Sequence, residues 1–520
     1  MRSLSSPSSL QFLSILPYPR LIFALFGGIL MGLTPAPVEA FPLAWVALIP
    51  LWVSTIRASR KMAIIYAIAW GFGYYGLALF WITGIHPMMW LGIPWLGSLA
   101  IAIFCWLFIT FWGIGLVIAW SFLLPKNKNF KIGPRNSLLR VLIGTSTWCV
   151  LETLWSYTPL WWSPLAYTQS PHNLIVLHLG QISGTTAVTA GIVAVNGFLA
   201  EALVLRKKKW IGWELSGLAI VLLISLHGLG LSLYLRPLVN ENSLKVGIIQ
   251  GNIPNEIKLN PEGWYKAIEG YTSGYRELSD RGVDAVLTPE TALPFIWQDR
   301  GQFQSSFYRA ILDKGVLAWV GGFKQEDKKI TNSLFTVTSK GENISHYDKV
   351  KLVPLGEYIP FQKVLGNFID RLSPLEAILV PGDPKQVFET PFGRAIVGIC
   401  YESAFPYHFQ RQAARGGEFI LTASNNAHYS NVMPAQHHAL DVMRAIESDR
   451  WAVRATNTGY SGIVDPHGKT LWISDINTYE LYSGTIYHRT TKTLYVLWGD
   501  WLTWCFLAIG TISFLLQEKH

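Results

Sequence analysis

Ala395-Ile-Val-Gly-Ile-Cys-Tyr-Glu402 is an apolar, strand-like run that ends on a thiol followed by a carboxylate. Cys400 is the only cysteine between residues 236 and 493, since Cys105, Cys149 and Cys505 lie in strongly apolar segments. A cysteine on an apolar strand is ordinarily a small packing residue. If this stretch lies outside the cytoplasm, it sits in a disulfide-forming compartment with no nearby partner, and the other reading is a nucleophile.

Around this run the chain alternates short apolar segments with charged residues and Gly/Pro turns. Segments 244–250, 284–288, 316–323, 334–338, 395–399, 419–423 and 452–456 read as strands, and 262–280 and 436–448 have helical spacing. Strands alternating with helices predict one α/β or layered α+β domain over 236–493. No internal repeat or low-complexity segment is legible.

On both sides of that domain the chain is far more apolar. Only 14% of its 520 residues are charged, 23 are tryptophan, and mean hydropathy is +0.29. That composition marks a membrane protein carrying a soluble part. A bilayer core needs about 20 apolar residues per helix. Eight spans are predicted near 16–34, 41–56, 62–82, 93–124, 138–157, 174–205, 211–235 and 494–516. Arg57, Arg60 and Lys61 follow the second span; Lys126, Lys128, Lys131 and Arg135 follow the fourth; Arg206, Lys207, Lys208 and Lys209 follow the sixth. The intervening loops 34–40, 83–92 and 158–173 carry no Lys or Arg. Both termini are therefore expected in the cytoplasm and 236–493 on the outer side. The expected organisation is a membrane domain over 1–235, an extracytoplasmic domain over 236–493, and a last transmembrane helix with a short tail over 494–520.

The net charge of +9 is largely this topological signal, and basic runs at membrane edges give no reason to invoke a nucleic-acid partner. Arg20, an apolar run and Val38-Glu39-Ala40 also fit a cleavable signal peptide, whereas Thr34-Pro-Ala-Pro37 fits a turn between two retained helices. The outer loops Trp161-Trp162 and His86-Pro-Met-Met-Trp90 read as an interfacial aromatic belt.

Glu290, Lys349 and Cys400 fall at or just beyond predicted strand ends, where sites in α/β sheets commonly gather. A carboxylate there can take a thiol proton and return it to a leaving group. An ammonium favours the thiolate and a developing oxyanion, and the thiolate can carry an acyl group as a thioester. Each residue also has an ordinary reading: a packed cysteine, a helix N-terminal acid, a surface lysine.

The flanking residues add weight. Thr288-Pro-Glu-Thr-Ala-Leu-Pro294, Tyr347-Asp-Lys349 with Leu352-Val-Pro-Leu-Gly-Glu-Tyr-Ile-Pro360, and Ile399-Cys-Tyr-Glu402 resemble the Glu-Lys-Cys motifs of the nitrilase (carbon–nitrogen hydrolase) superfamily. More narrowly they resemble its membrane-bound apolipoprotein N-acyltransferase branch, which Gln250-Gly-Asn-Ile-Pro254, Pro434-Ala-Gln-His437, Met443-Arg-Ala-Ile-Glu447 and Arg454-Ala-Thr-Asn-Thr-Gly459 also fit. The likeness covers 245–470 and the order of membrane helices, outer domain and final helix.

The resemblance implies an αββα nitrilase-like sandwich on a polytopic helical membrane protein of the bacterial plasma membrane. It implies transfer of an acyl chain from a phospholipid to the cysteine, then to the α-amine of a diacylglyceryl-modified N-terminal cysteine of an apolipoprotein, with no cofactor. By motif, Glu290 would be the base, Lys349 the oxyanion-side cation and Cys400 the nucleophile. Glu357 and Glu402 would be supporting acids, and Tyr401 would line the acyl site. Asn425, His428 and Tyr429 would lie in the substrate pocket.

Several positions depart from the family pattern. Ser-Asn-Asp-Ala-Trp-Phe is here Ser424-Asn-Asn-Ala-His-Tyr429, so Asn426 replaces an acid and His428 a tryptophan, and Leu259 stands where a tryptophan is frequent. His428, His437 and His438 lack tetrahedral metal-ligand spacing and read as helix-surface or hydrogen-bonding residues. Asn332, in Asn-Ser-Leu, is no glycosylation acceptor. Two competing functions use the same features: a membrane-tethered amidase with water as acceptor, and a transporter or scaffold whose outer domain binds ligand. Glu152 and Glu201, charges inside predicted spans, are the thin support for the last.

Overall fold

The computed structural model describes residues 17–126, 133–293, 295–297, 305–327, 329–358, 379–427 and 429–518. Its first part is helical: α1 (Pro17–Gly32), α2 (Ile49–Ile56), α3 (Arg60–Ala78), α4 (Trp95–Leu123), α5 (Pro134–Ser156), α6 (Leu174–Leu177), α7 (Gly180–Ser183), α8 (Thr185–Val204) and α9 (Lys209–Tyr234). Among the described residues, three helices, Trp95–Leu123, Thr185–Val204 and Trp210–Tyr234, are long and apolar enough to cross a membrane. Shorter apolar helices cover Tyr18–Gly32, Phe41–Ile56, Leu174–Ser183 and Trp501–Leu516.

The expected span 174–205 is not one helix. Gly184, at φ +64 and ψ −150, separates α7 from α8, a backbone conformation that a side chain disfavours. The charges inside the bundle are tied down. Glu152 accepts from Trp148 Nε1, Thr189 Oγ1 and the Leu165 amide, and Glu201 accepts from Trp52, Ser137 and Arg140.

The soluble part runs β1 (Ser243–Gln250), α10 (Asn255–Lys258), α11 (Pro261–Asp280), β2 (Ala285–Leu287), α12 (Ser306–Lys314), β3 (Leu317–Glu326), β4 (Lys329–Val337), β5 (Asn343–Asp348), β6 (Phe388–Thr390) and β7 (Gly393–Ile399). It continues through α13 (Pro406–Ala414), β8 (Phe419–Ser424), α14 (Val432–Ser448), β9 (Ala452–Thr456), β10 (Gly462–Val464), β11 (Thr470–Ile473) and β12 (Glu480–Tyr487). Then α15 (Leu494–Trp498) and α16 (Trp501–Glu518) return to the bundle. The expected last span is thus broken at Gly499-Asp500, where the Asp500 carboxylate accepts from Ser183, Thr186, Thr153 and Thr503.

The strands form two six-stranded sheets, ordered β12-β1-β2-β3-β4-β5 and β6-β7-β8-β9-β10-β11. Read in those orders, both have the same pairing: antiparallel, parallel, parallel, antiparallel, antiparallel. The two halves therefore repeat in topology although no repeat is legible in the residues.

Alternation along each strand decides the layers. Val246, Ile248, Leu287 and Trp319 from the first sheet meet Ala395, Val397, Ile399, Leu421 and Val453 from the second in one apolar layer. Ile249, Val286, Ala318 and Val320 face the other way, onto Tyr271, Tyr275 and Leu278 of α11 and Phe307 and Ile311 of α12. Ile396 and Ile420 face Phe405, Phe409, Met433, Leu440 and Met443, which join the same core as the membrane helices. The order is helices, sheet, sheet, helices, bundle, so α13 and α14 are covered on both faces.

The two ends of the bundle differ. At one end basic loops meet: Arg57 Nη2 donates to the Val204 carbonyl at 3.2 Å, and Lys126 Nζ to that of Thr55 at 3.4 Å. The other end meets the two-sheet domain: Ser170 Oγ, in the loop 158–173 without Lys or Arg, donates to the Ala439 carbonyl at 2.7 Å, and Gln436 Nε2 to that of Ala78, at the end of α3, at 2.9 Å. Trp161 and Trp162 are each 4% exposed, and Trp162 Nε1 donates to Gln436 Oε1 at 2.9 Å. The aromatic-belt reading therefore fails for this pair, because the soluble domain seals them from lipid.

Candidate active site

Each proposed site residue is placed by a turn at one edge of the sandwich. Glu290 follows β2, Lys349 follows β5, Cys400 follows β7 and Asn425 follows β8. β2, β7 and β8 run in their sheets' parallel sets, and β5 returns in the direction of β2 through two antiparallel steps, so these are carboxyl ends. Asn252, Thr291, Leu355 and Cys400 have φ of 50, 45, 64 and 52°. Left-handed backbone costs a non-glycine residue of order 1–3 kcal/mol, and such residues gather at functional sites.

Gly321 makes room for the Glu290 turn. The β2 end is tied to β3 by the Gly321 amide on Thr288 Oγ1 at 2.9 Å and the Leu293 amide on the Gly321 carbonyl at 3.1 Å. A Cβ at Gly321 would lie 1.9 Å from the Pro289 carbonyl oxygen, a backbone atom that can move only with the turn. Gly321→Ala should therefore displace Glu290. Displacement by about 1 Å lowers activity by roughly 10²-fold, and overpacking costs about 1–3 kcal/mol of stability. Activity assays and thermal melts check both.

Glu290 and Lys349 are buried and in direct contact, Nζ to Oε1 at 2.8 Å. Lys349 Nζ also donates to Glu357 Oε1 at 2.9 Å. Asn332 Nδ2 links the two acids, reaching Glu290 Oε1 at 2.7 Å and Glu357 Oε1 at 3.2 Å. Glu357 Oε2 accepts the Val353 amide at 2.8 Å, which closes its own loop.

Burial opposes the charge on Glu290, but the Lys349 ammonium outweighs it and holds the carboxyl below its usual range. Burial, opposed by Lys349 and reinforced by Glu290, pushes Glu357 up. Burial works against the Lys349 ammonium, yet Glu290 and Glu357 together raise it well above an ordinary lysine. The site thus rests with an ionised Glu290 against a fixed cation.

Cys400 opens a turn of 3-10 helix (Cys400–Ala404) and is 6% exposed. Its Sγ lies 3.6 Å from the Asn425 carbonyl oxygen. Burial, then the Glu290 charge, push the thiol up to about 12 against the pull of Lys349. Cys400 therefore rests as the thiol, and any attack by its sulfur would need a base in place.

The other acid beside the cysteine does different work. Glu402 is fully buried and accepts the amides of Ile399 at 2.8 Å, Val350 at 2.6 Å and Lys351 at 3.0 Å, with Tyr347 Oη at 3.1 Å. One carboxylate thereby clamps the Cys400 turn to the Lys349 loop. Tyr401 points away from the acids: its hydroxyl donates to the Pro159 and Trp161 carbonyls at 2.6 and 2.9 Å, and its ring lies parallel to Trp162 at 6.1 Å. Tyr429 meets Trp81 edge-on at 5.0 Å. Asn425 bonds Asn255 and Asn457 at 3.2 and 3.1 Å. His428 lies outside the described residues.

Three residues at the site escaped the sequence reading. Asn332 is a buried amide in the first, polar half of β4. Lys258, 5% exposed, donates to the Glu290 backbone carbonyl at 3.1 Å. His437 is wholly buried, so its helix-surface reading fails while its hydrogen-bonding reading holds. Burial and Arg454 pull its ring well below the usual histidine range, so it is neutral. Its Nε2 must donate to the Cys400 carbonyl at 2.9 Å, which leaves Nδ1 to accept from Asn426 Nδ2 at 3.1 Å. Asn426, in place of an acid, therefore suits a neutral ring.

Two facing sheets flanked by helices, with glutamate, lysine and cysteine at one strand edge, define a carbon–nitrogen hydrolase-type domain. The family model for carbon–nitrogen hydrolases matches residues 245–492, and the model for the apolipoprotein N-acyltransferase N-terminal domain matches 27–198. Apolipoprotein N-acyltransferases of Nostoc sp. and Synechocystis sp. are 57% and 50% identical to this chain, each over 94% of it and over 97% and 98% of their own lengths. The chain belongs to the apolipoprotein N-acyltransferase family. A solved amidase from Nesterenkonia sp. is 20% identical, covers 50% of this chain and 95% of its own, and has a TM-score of 0.37, too low to carry a structural conclusion.

Proposed function

We propose that this protein N-acylates lipoproteins through a thioester on Cys400. Glu290 takes the thiol proton as Sγ attacks an ester carbonyl of a phospholipid, and returns it to the departing lysophospholipid oxygen. The α-amine of a diacylglyceryl-cysteine N-terminus then attacks the thioester, its proton passes to Glu290, and the thiolate leaves and is reprotonated. Lys349 favours the thiolate and the tetrahedral oxyanion. The observation that carries this reading is the ionised Glu290 held at 2.8 Å by Lys349 at the same strand edge as Cys400.

The surroundings favour transfer over hydrolysis. The Cys400 turn lies against membrane-domain loops through Tyr401, and Trp81, Trp162, Tyr401 and Tyr429 form an aromatic cluster. We assign this cluster to the wall of the acyl site, where it excludes water from a waiting thioester. The eight-span topology, with 1–235 and 494–520 in the membrane and 236–493 on the outer side, is supported by the basic loops meeting at one end and the soluble domain capping the other. On this topology both termini are cytoplasmic.

The test is mass spectrometry of the Cys400 peptide after incubation with phospholipid, with and without neutral hydroxylamine. An acyl adduct that hydroxylamine removes is expected, and an active preparation without one refutes the mechanism. A diacylated lipopeptide should discharge the adduct to an amide; equal discharge by water alone would make the protein a hydrolase. Glu290→Gln keeps the size of the side chain but cannot accept the proton, so adduct formation should fall by about 10²–10⁴-fold. The same assay reads it.

A further inference from the structure

Lys349 is already committed. Its ammonium is divided between Glu290 and Glu357, and with both acids ionised the trio carries one net negative charge. As Glu290 takes the thiol proton that charge passes to the sulfur and then to the oxyanion, so the buried site keeps one net negative charge that Lys349 alone does not balance.

A second ammonium enters from the opposite side. Lys258 ends α10, the short turn between β1 and α11, and is 5% exposed. Its Nζ donates at 3.1 Å to the backbone carbonyl of Glu290, the residue whose side chain Lys349 holds. Among the described residues, no carboxylate forms an ion pair with it. A buried cation without a counter-ion is costly, and such groups cluster where charge develops during a reaction. The charged and titratable groups that act on it are Glu290, Cys400 and Lys349.

We propose that Lys258 is a second working cation of the catalytic centre, a positioning residue that fixes the Glu290 turn and offsets the negative charge of the Cys400 thiolate as it is loaded. This inference rests on the thioester reading above. Burial, with help from Lys349, brings its ammonium down to about 8 against the pull of Glu290 and Cys400. The charge is therefore present below that pH and lost above it. Lys258 in turn is one of the groups that hold Glu290 ionised.

The experiment measures the rate of Cys400 acylation against pH, using full-length protein in vesicles of mixed zwitterionic and anionic phospholipid. In the wild type the rate should decline as pH rises through about 8. Lys258→Met should lower the rate about tenfold or more, lose that alkaline decline and shift the acid limb upward. Lys258→Arg should keep the rate within a few-fold and move the alkaline decline to higher pH, because a guanidinium stays charged. A uniform loss with the wild-type pH profile in both variants would mean packing only, and would overturn the proposal, as would a Met variant of wild-type rate. If the Met variant does not fold, the Arg profile decides alone: a displaced decline supports the proposal and an unmoved one overturns it. Absence of any adduct on the wild-type protein would instead refute the thioester reading itself.

Discussion

Cys400→Ala should lower lipoprotein N-acylation by at least about 10⁴-fold, the scale seen when a catalytic nucleophile is removed, while leaving the fold unchanged. None of the other cysteines lies at the site to take its place. Cys149 is buried in α5 and Cys105 and Cys505 lie on α4 and α16, all within apolar helices. The Tyr429 hydroxyl is electrostatically coupled to the site, but burial pushes it far above its ordinary value, and it stays neutral. The fold survives because, among the described residues, Sγ has a single polar contact, at 3.6 Å to a backbone carbonyl. Alanine meets the same backbone demand at φ +52 that cysteine does. Cys400→Ser should recover almost nothing, since a hydroxyl holds its proton far more tightly than a thiol. Adduct mass spectrometry, acyl transfer to a lipopeptide and a thermal melt check the three statements together. A Cys400→Ala protein retaining more than about a hundredth of wild-type transfer would remove the covalent mechanism.

Glu290 and Cys400 were legible because each closes an apolar strand-like run, whereas Lys349, after the largely polar Asn343–Asp348, was legible only through its flanking motif. A polar group that ends an apolar segment leaves a local mark. Asn332, Lys258 and His437 leave none. Asn332 sits inside β4, where an amide merely looks like a poor strand former. Its role appears only when Glu290 and Glu357, 42 and 25 residues away in sequence, converge on it.

The fold shows the same division. β1, β7, β8 and β9 were legible because they are buried almost throughout. β11 is only four residues long, with Leu471 and Ile473 on its exposed side, and β12 is half-buried along most of its length, so neither reads as a buried strand. Trp161 and Trp162 misled because composition cannot tell a tryptophan facing lipid from one facing a protein domain. The single helices expected over 174–205 and 494–516 overlooked breaks at Gly184 and Gly499, since apolar runs on both sides of each outweigh the short polar stretches at the breaks.

Glu402→Ala should cost stability and activity together, and so separate this acid from Glu290. The carboxylate is fully buried and receives three backbone amides and a phenol. Removing it strands those donors. A buried donor without an acceptor costs about 1–3 kcal/mol, and with partial relaxation the sum should be about 3–5 kcal/mol, the range for breaking a buried charged contact. The melting midpoint should fall by roughly 10 °C. Activity falls with it, because the clamp joins the Cys400 turn on one sheet to the Lys349 loop on the other. Glu402→Gln keeps the shape but turns an amide NH2 towards N–H donors, so it should fall between alanine and wild type. Glu290→Gln, by contrast, should lower adduct formation by about 10²–10⁴-fold with little change in midpoint, because its amide oxygen can still accept from Lys349 and Asn332. A Glu402→Ala protein that melts like the wild type yet is inactive would show that this acid acts on the substrate, and that the two sheets are held in register at the site by something else.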